Sequence, residues 1–180
     1  QSLLAAMIIS AIIKLLDLHE IVHTWKTKKS DCIVLLITFF CTLFIGIEQG
    51  VIIGAVCSLG IVLFTVSRPR VAVLGRLPGS TNYKNIKHWK SLIQIPGVVP
   101  IRFDDALYFA NESYLQSKVN KLINSSKYDV HVVILDFSSV NQIDSTGVKT
   151  VQTIYTKLKT QDICLYFSGV KVSIYKILQK

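Results

Sequence analysis

The residues best placed to do chemistry are Asp144-Ser145-Thr146-Gly147, which stand between a compact apolar, β-branched run, His131 to Phe137, and a helical pattern from about Ser145 to Lys159. At the head of a helix the first backbone amides have no intrahelical acceptor and point outward. A hydroxyl at Ser145 therefore sits where an oxyanion is stabilised. Phosphate on it would add about −1.5 to −2 charges, favoured by the helix dipole and opposed by the neighbouring Asp144. A structural role competes with this one, because Asp144 or Ser145 can equally cap the helix.

Three other groups invite a chemical reading. Glu48 is the sole charged side chain between Cys32 and Val66, and a carboxylate at membrane depth is a candidate for proton coupling. Gly46 and Gly50 flank it, however, and argue for a solvated residue at a turn. His19 and His23 are spaced i, i+4 with Asp17 and Glu20 nearby, the spacing of two metal ligands on one helical turn. No third ligand follows at a fixed spacing, so a solvated segment at a membrane edge is the better reading and no metal is expected. Cys32, Cys41, Cys57 and Cys164 stand singly in apolar runs without a CxxC pair, which argues for buried reduced thiols and against zinc or a disulfide framework.

Enzyme chemistry finds no support. There is no paired nucleophile and base and no GxSxG. The Asp-Lys-Thr-Gly of transport ATPases is matched only with Ser145 in place of the lysine, and no Walker-type loop accompanies it. Catalytic residues and cofactors are accordingly expected to be absent.

The elements that carry these groups fall into two environments. From Gln1 to Ser67 four basic residues (Lys14, Lys26, Lys28, Lys29) balance four acidic ones (Asp17, Glu20, Asp31, Glu48), so the remainder carries the whole net charge of +9. The neutral part is dominated by aliphatic residues and Phe, and the basic part has the mixed composition of a water-exposed domain. As a single helix, Cys32 to Val66 would be about 52 Å long at about 1.5 Å per residue, against a hydrocarbon core of about 30 Å. The run is therefore divided at Gly46-Ile47-Glu48-Gln49-Gly50 into two antiparallel spans, about 32–46 and 50–66. Leu3 to Leu16 reads as the tail of an earlier helix, with Lys14 snorkelling, and the chain as a fragment of a longer protein. Lys26, Lys28 and Lys29 before the spans and Arg68 and Arg70 after them place both flanks in the cytosol by the positive-inside bias.

Residues 68–180 follow with almost no linker. Val71 to Leu74, Leu92 to Ile95 and Val98 to Phe103 read as strands. Glu112 to Ile123 reads as a helix capped by Asn111. His131 to Phe137 is a central strand, and Ser145 to Lys159 a helix with Val148, Val151, Tyr155 and Leu158 facing inward. Ile163 to Phe167 is a further buried strand, and Lys171 opens a helix that the chain end truncates. Alternating strands and helices imply an α/β sheet layered with helices. The basic residues Lys84, Lys87, His88 and Lys90, with Arg68, Arg70 and Arg76, suit anionic lipid headgroups better than nucleic acid. Asn111-Glu112-Ser113 and Asn124-Ser125-Ser126 are formal glycosylation sequons that a cytosolic location leaves bare.

Three segments in this order resemble the sulfate permease (SulP) family of transporters with their STAS domains. They are the double span around Gly46 to Gly50, the stretch from Ile95-Pro96-Gly97 through Arg102-Phe103 to Leu107-Tyr108-Phe109-Ala110-Asn111, and Ile143-Asp144-Ser145-Thr146-Gly147. One departure is that many animal members carry a long insertion between the first STAS helix and the next strand, where this chain has only Asn124 to Val130.

The resemblance implies transmembrane α-helices forming the last part of a seven-plus-seven inverted-repeat transporter (residues 1–67), followed by an α/β STAS domain of mixed sheet and helices (68–180). It implies secondary active transport or exchange of small anions of the sulfate, chloride, bicarbonate and oxalate class, by a homodimer in which this segment supplies gate-side helices. Substrate-binding residues are expected elsewhere in the protein. It implies a multi-pass protein of the plasma membrane, in contact with lipids, whose cytoplasmic STAS domain stabilises the dimer and receives regulatory proteins, without nucleic acid. In the anti-sigma factor antagonists that the loop at Asp144, Ser145, Thr146 and Gly147 also resembles, the serine at this position is phosphorylated to switch partner binding. The alternative is a membrane-tethered STAS phospho-switch with no transport role.

Overall fold

The structure, a computed structural model, describes residues 18–89 and 91–179, with side chains from residue 22 onward. The expected helix tail from Leu3 to Leu16 with its Lys14, the basic Lys90, and the side chains of Asp17, His19 and Glu20 lie outside the described residues. The chain divides into two compact units, Gln1–Leu63 and Phe64–Lys180.

In the first unit, α1 spans Leu18–Thr27, α2 Lys29–Phe44 and α3 Ile47–Ser67, the last running on into the second unit. The break between α2 and α3 is narrower than the five residues expected from sequence. Ile45 and Gly46 make it, Gly46 with a φ of +138° that disfavours any side chain. Glu48, expected at the turn, stands exposed in the first turn of α3, where a carboxylate suits the helix dipole. At 16 and 21 residues, α2 and α3 are about 24 and 31 Å long at about 1.5 Å per residue. Among the described residues only α3, with mean hydropathy 2.3, is long and apolar enough to cross a membrane.

The two helices meet through small residues. A Cβ built on Gly50 would lie 2.6 Å from Thr42 Cα, and one on Gly54 would lie 2.8 Å from Thr38 Cγ2. The threonine hydroxyls turn back on their own helix, Thr38 donating to Val34 O at 2.8 Å and Thr42 to Thr38 O at 2.7 Å. Each polar group at the crossing is thereby satisfied without water.

The second unit is built on a five-stranded sheet in the order β2-β1-β3-β4-β5. Its strands are β1 (Val71–Arg76), β2 (Tyr83–Asn85), β3 (Val98–Phe103), β4 (Val132–Asp136) and β5 (Cys164–Ser168). β1 runs antiparallel to β2 and β3, while β3, β4 and β5 are mutually parallel. Parallel neighbours need crossovers, which α4 (Glu112–Asn124) and α5 (Ser145–Lys159) supply, and α6 (Val172–Leu178) follows β5. Pro100 is tolerated in the central β3 because pairing with β1 stops at Ile101. Ile101, Phe103, Val133, Leu135 and Phe137 from the sheet region pack with Leu115 and Val119 of α4 and Ile154 and Leu158 of α5 as the buried core.

Several expectations are corrected. Leu92 to Ile95 is not a strand but a single bridge from Ile93 to Arg76, and the short edge strand β2 was not foreseen. The buried face of α5 is Gly147, Thr150, Val151, Ile154 and Leu158; Tyr155 is half exposed and Val148 partly so. The face turns because Thr150 satisfies its hydroxyl inside the protein, on Thr146 O and the Glu112 carboxylate, both at 2.9 Å. β5, read as buried, is an edge strand whose Tyr166 and Cys164 are exposed. Of the four cysteines only Cys32 is buried.

Candidate functional site

The run from Asp144 to Gly147 lies past the carboxyl end of β4, where it is laced to the loop that follows β3. Leu107 and Ile143 form a parallel bridge. Leu107 N–H donates to Gln142 O at 3.0 Å, and Asp144 N–H to Leu107 O at 3.1 Å. This places loops from two adjacent parallel strands side by side, at the edge where α/β sheets carry their sites.

Asp144 is the cap of α5. Its backbone is extended, and one carboxylate oxygen accepts Gly147 N–H at 2.6 Å while the other accepts Phe109 N–H at 3.1 Å. One side chain thus satisfies an orphan amide of the helix and pins the neighbouring loop. Gly147 is required by contact, since a Cβ there would sit 2.7 Å from Leu107 O. With capping assigned to Asp144, Ser145 is left exposed in the first helical turn, and among the described residues its hydroxyl makes no hydrogen bond. Thr146 is partly buried, and its carbonyl receives Thr150.

Asn111 was expected to cap α4 with its side chain, and it does not. It is fully buried, donating to Ala106 O at 2.9 Å and accepting Tyr108 N–H at 3.2 Å, so it locks the turn from Ala106 to Asn111 from within. Burial, and behind it the charge of Asp105, raises the Tyr108 phenol above its ordinary pKa.

Beside the loops a depression of about 410 Å³ is lined by Leu107, Tyr108, Asn141 to Asp144 and, from α6, Ser173, Ile174 and Ile177. Lys171 bonds Asn141 at its rim. In the loop after β3, Asp104 pairs with Arg102 at 2.6 Å, and Ser139 Oγ donates to Asp104 at 3.2 Å. The hydrogen bond to Asp104 holds the guanidinium pKa above its usual value despite partial burial. Among the described residues no three His, Cys, Asp or Glu side chains converge on one point.

The structure therefore brings Asp144, Ser145, Thr146 and Gly147 to one helix start. It adds Phe109, Glu112 and Thr150, which the sequence reading missed. Phe109 is 35 residues from Asp144, and Glu112 is 38 from Thr150, so no local spacing could have joined them. Chemically the site offers an exposed hydroxyl and helix amides, and among the described residues no side chain accepts a hydrogen bond from that hydroxyl.

Residues 90–180 match the STAS domain family. Sulfate transporter 4.1, chloroplastic, of Arabidopsis thaliana is 38% identical over 184 residues, covering 97% of this chain and 27% of that protein. High affinity sulfate transporter 2 of Stylosanthes hamata is 32% identical over 177 residues, covering 94% of this chain and 27% of that protein. The chain thus spans about a quarter of the length of the relatives it matches. The fold is similar to that of the murine Solute Carrier 26 family member A9 anion transporter in its inward-facing state, with a TM-score of 0.76 over 87% of this chain and 25% of that one at 24% identity.

Proposed function

The chain belongs to the STAS-domain family in its sulfate-transporter branch, and on that premise we propose that it is part of an integral membrane transporter of small anions. In this reading α2 and α3 sit in the bilayer on the gate side of an inverted-repeat transporter, residues 1–67 forming its last membrane helices. The α/β unit, residues 68–180, is its cytoplasmic module. The observation that carries the reading is α3. It is 21 residues long with mean hydropathy 2.3, and only 11% of its most apolar window is buried. In water such a surface would be an association site; in lipid it is ordinary, because the backbone is satisfied within the helix. Arg68, Pro69 and Arg70 alone separate α3 from β1.

The work of the intact protein is secondary active transport or exchange by alternating access, one domain moving against another around the anion site. The substrates are of the sulfate, chloride, bicarbonate and oxalate class, and the protein is a homodimer in the plasma membrane. Uptake of radiolabelled sulfate, oxalate and chloride by the full-length protein in liposomes tests this; no uptake above protein-free liposomes for any of them refutes it and leaves the tethered switch.

The exposed hydroxyl of Ser145 supports a second role, as a phosphorylation site that alters partner binding at the α/β unit. Phosphate would join the helix amides that Asp144 leaves unoccupied, with Lys149 one turn along. Transport by full-length Ser145→Ala and Ser145→Glu, compared with and without treatment by a serine kinase, tests it. A kinase response that survives in Ser145→Ala discards Ser145.

A further inference from the structure

We propose that the sheet edge formed by β2 and the loop after it docks on the headgroup layer of an anionic phospholipid bilayer, with Trp89 and Tyr83 as interfacial anchors. The proposal rests on the membrane reading of α3, from which only Arg68, Pro69 and Arg70 separate β1.

Charge is the first observation. Between Glu48 and Asp104 the chain has no Asp or Glu, while Arg68, Arg70, Arg76, Lys84 and Lys87 are all exposed. Arg102, the last cation before Asp104, is neutralised by it at 2.6 Å. None of the other five has a carboxylate partner among the described residues.

Geometry is the second. β1 pairs with β2 so that Arg76 stands opposite Tyr83, and the bridge to Ile93 flanks Arg76 on its other side. Directly opposed residues in antiparallel strands share a face, so Tyr83, Arg76 and Ile93 form a row of aromatic, cation and aliphatic side chains, all exposed. Ile95, also exposed, gathers with Tyr83 and Ile93 around one small depression. Past β2, Asn85 folds the chain back, accepting Lys87 N–H at 2.9 Å on its side chain and His88 N–H at 3.1 Å on its carbonyl. That turn presents Lys87, His88 and a 51% exposed Trp89 together.

Lysines alone on an edge strand are explained as protection against pairing with another chain. That role leaves Trp89, Ile93 and Ile95 exposed beside them without a reason. Amphipathic rings among cations are the composition of the bilayer interface, where Trp and Tyr sit at headgroup level and each Lys or Arg gains from the anionic surface. A nucleic acid would engage the same cations but leave the two isoleucines wet.

The chain has two tryptophans, so Trp25→Phe leaves Trp89 as the sole emitter. This variant is reconstituted into phosphatidylcholine vesicles with and without phosphatidylserine, each with brominated acyl chains as quencher. The expected result is a blue-shifted Trp89 emission that lipid quenches with phosphatidylserine and far less without it. Quenching is expected to vanish in about 1 M salt, where screening acts within about 3 Å. In Lys84→Glu with Lys87→Glu the docking equilibrium should fall at least fivefold per position, the factor that about 1 kcal/mol per cation gives. Equal quenching in both vesicles, or none in either, overturns the proposal. So does a Trp89 shielded from iodide yet unquenched by lipid, which would mean that protein covers the edge. Flotation separates the two readings: a chain that floats with neither vesicle refutes the membrane placement of α3, whereas one that floats with both while Trp89 stays unquenched refutes only the docking surface.

Discussion

Asp144 shows how much one side chain can decide. Its carboxylate caps α5 at Gly147 and holds the preceding loop at Phe109, so Asp144→Ala removes a cap and a tertiary bond together. We expect a loss of about 1–2 kcal/mol in stability, read by urea denaturation of the micelle-bound chain followed through its circular dichroism. Ser145→Ala should leave the same transition within about 0.5 kcal/mol, as an exposed surface position does; equal losses at both positions would return the capping role to Ser145. Thr150→Val tests the α4–α5 link. It leaves the Glu112 carboxylate without its buried donor, for a cost of about 1–2 kcal/mol, and a double-mutant cycle with Glu112→Gln should show coupling between the two. The sequence made the run from Asp144 to Gly147 legible because its residues are contiguous and follow an apolar strand. The bonds that give Asp144 and Thr150 their jobs were not legible, because they cross more than thirty residues of chain.

Elements follow from periodicity where one face dominates, and fail to where context decides. The start and end of α5 and the span of β3 were readable from residue pattern alone. β2 is three residues, none of them aliphatic, and owes its strand geometry to pairing with β1. The apolar run Leu92 to Ile95 gave a strand signal, yet only Ile93 finds a partner, at Arg76. The phase of α5 departs from its apolar pattern: Tyr155 is half exposed, and Thr150 is buried because its hydroxyl is bonded inside the protein. For the α2–α3 pair the glycines were readable as a break, whereas Gly50 and Gly54 also set the distance of approach. Gly54→Val therefore has to push Thr38 away, and the overpacking should cost about 1–3 kcal/mol or more. A lower melting temperature in detergent is the expected readout, with Gly60→Val, which meets no atom within 4 Å, as the neutral comparison. An equal effect of the two substitutions would refute the close crossing.

At the scale of the molecule, the membrane reading makes a statement about sides that specific residues can report. Of the two sequons, Asn111 is a poor reporter: its side chain is fully buried and bonded to Ala106 O, so it would stay bare in the folded domain on either side of a membrane. Asn124, at the exposed end of α4, is free of that objection and reports compartment. Cys164 provides a second, chemical reporter, because β5 lies at the sheet edge and leaves it exposed, whereas Cys41 and Cys57 on α2 and α3 are only partly so. In intact cells expressing the full-length protein, a membrane-impermeant maleimide should leave Cys164 unlabelled until the membrane is permeabilised. Asn124 should carry no glycan, and Cys164→Ser should remove the permeabilisation-dependent labelling. Labelling of Cys164 from outside, or glycan at Asn124, would put the α/β unit on the far side of the bilayer. The cations beside the spans would then be outside too, against the bias that cytoplasmic loops hold Lys and Arg, and the regulatory role of Ser145 would lose its access to cytosolic kinases.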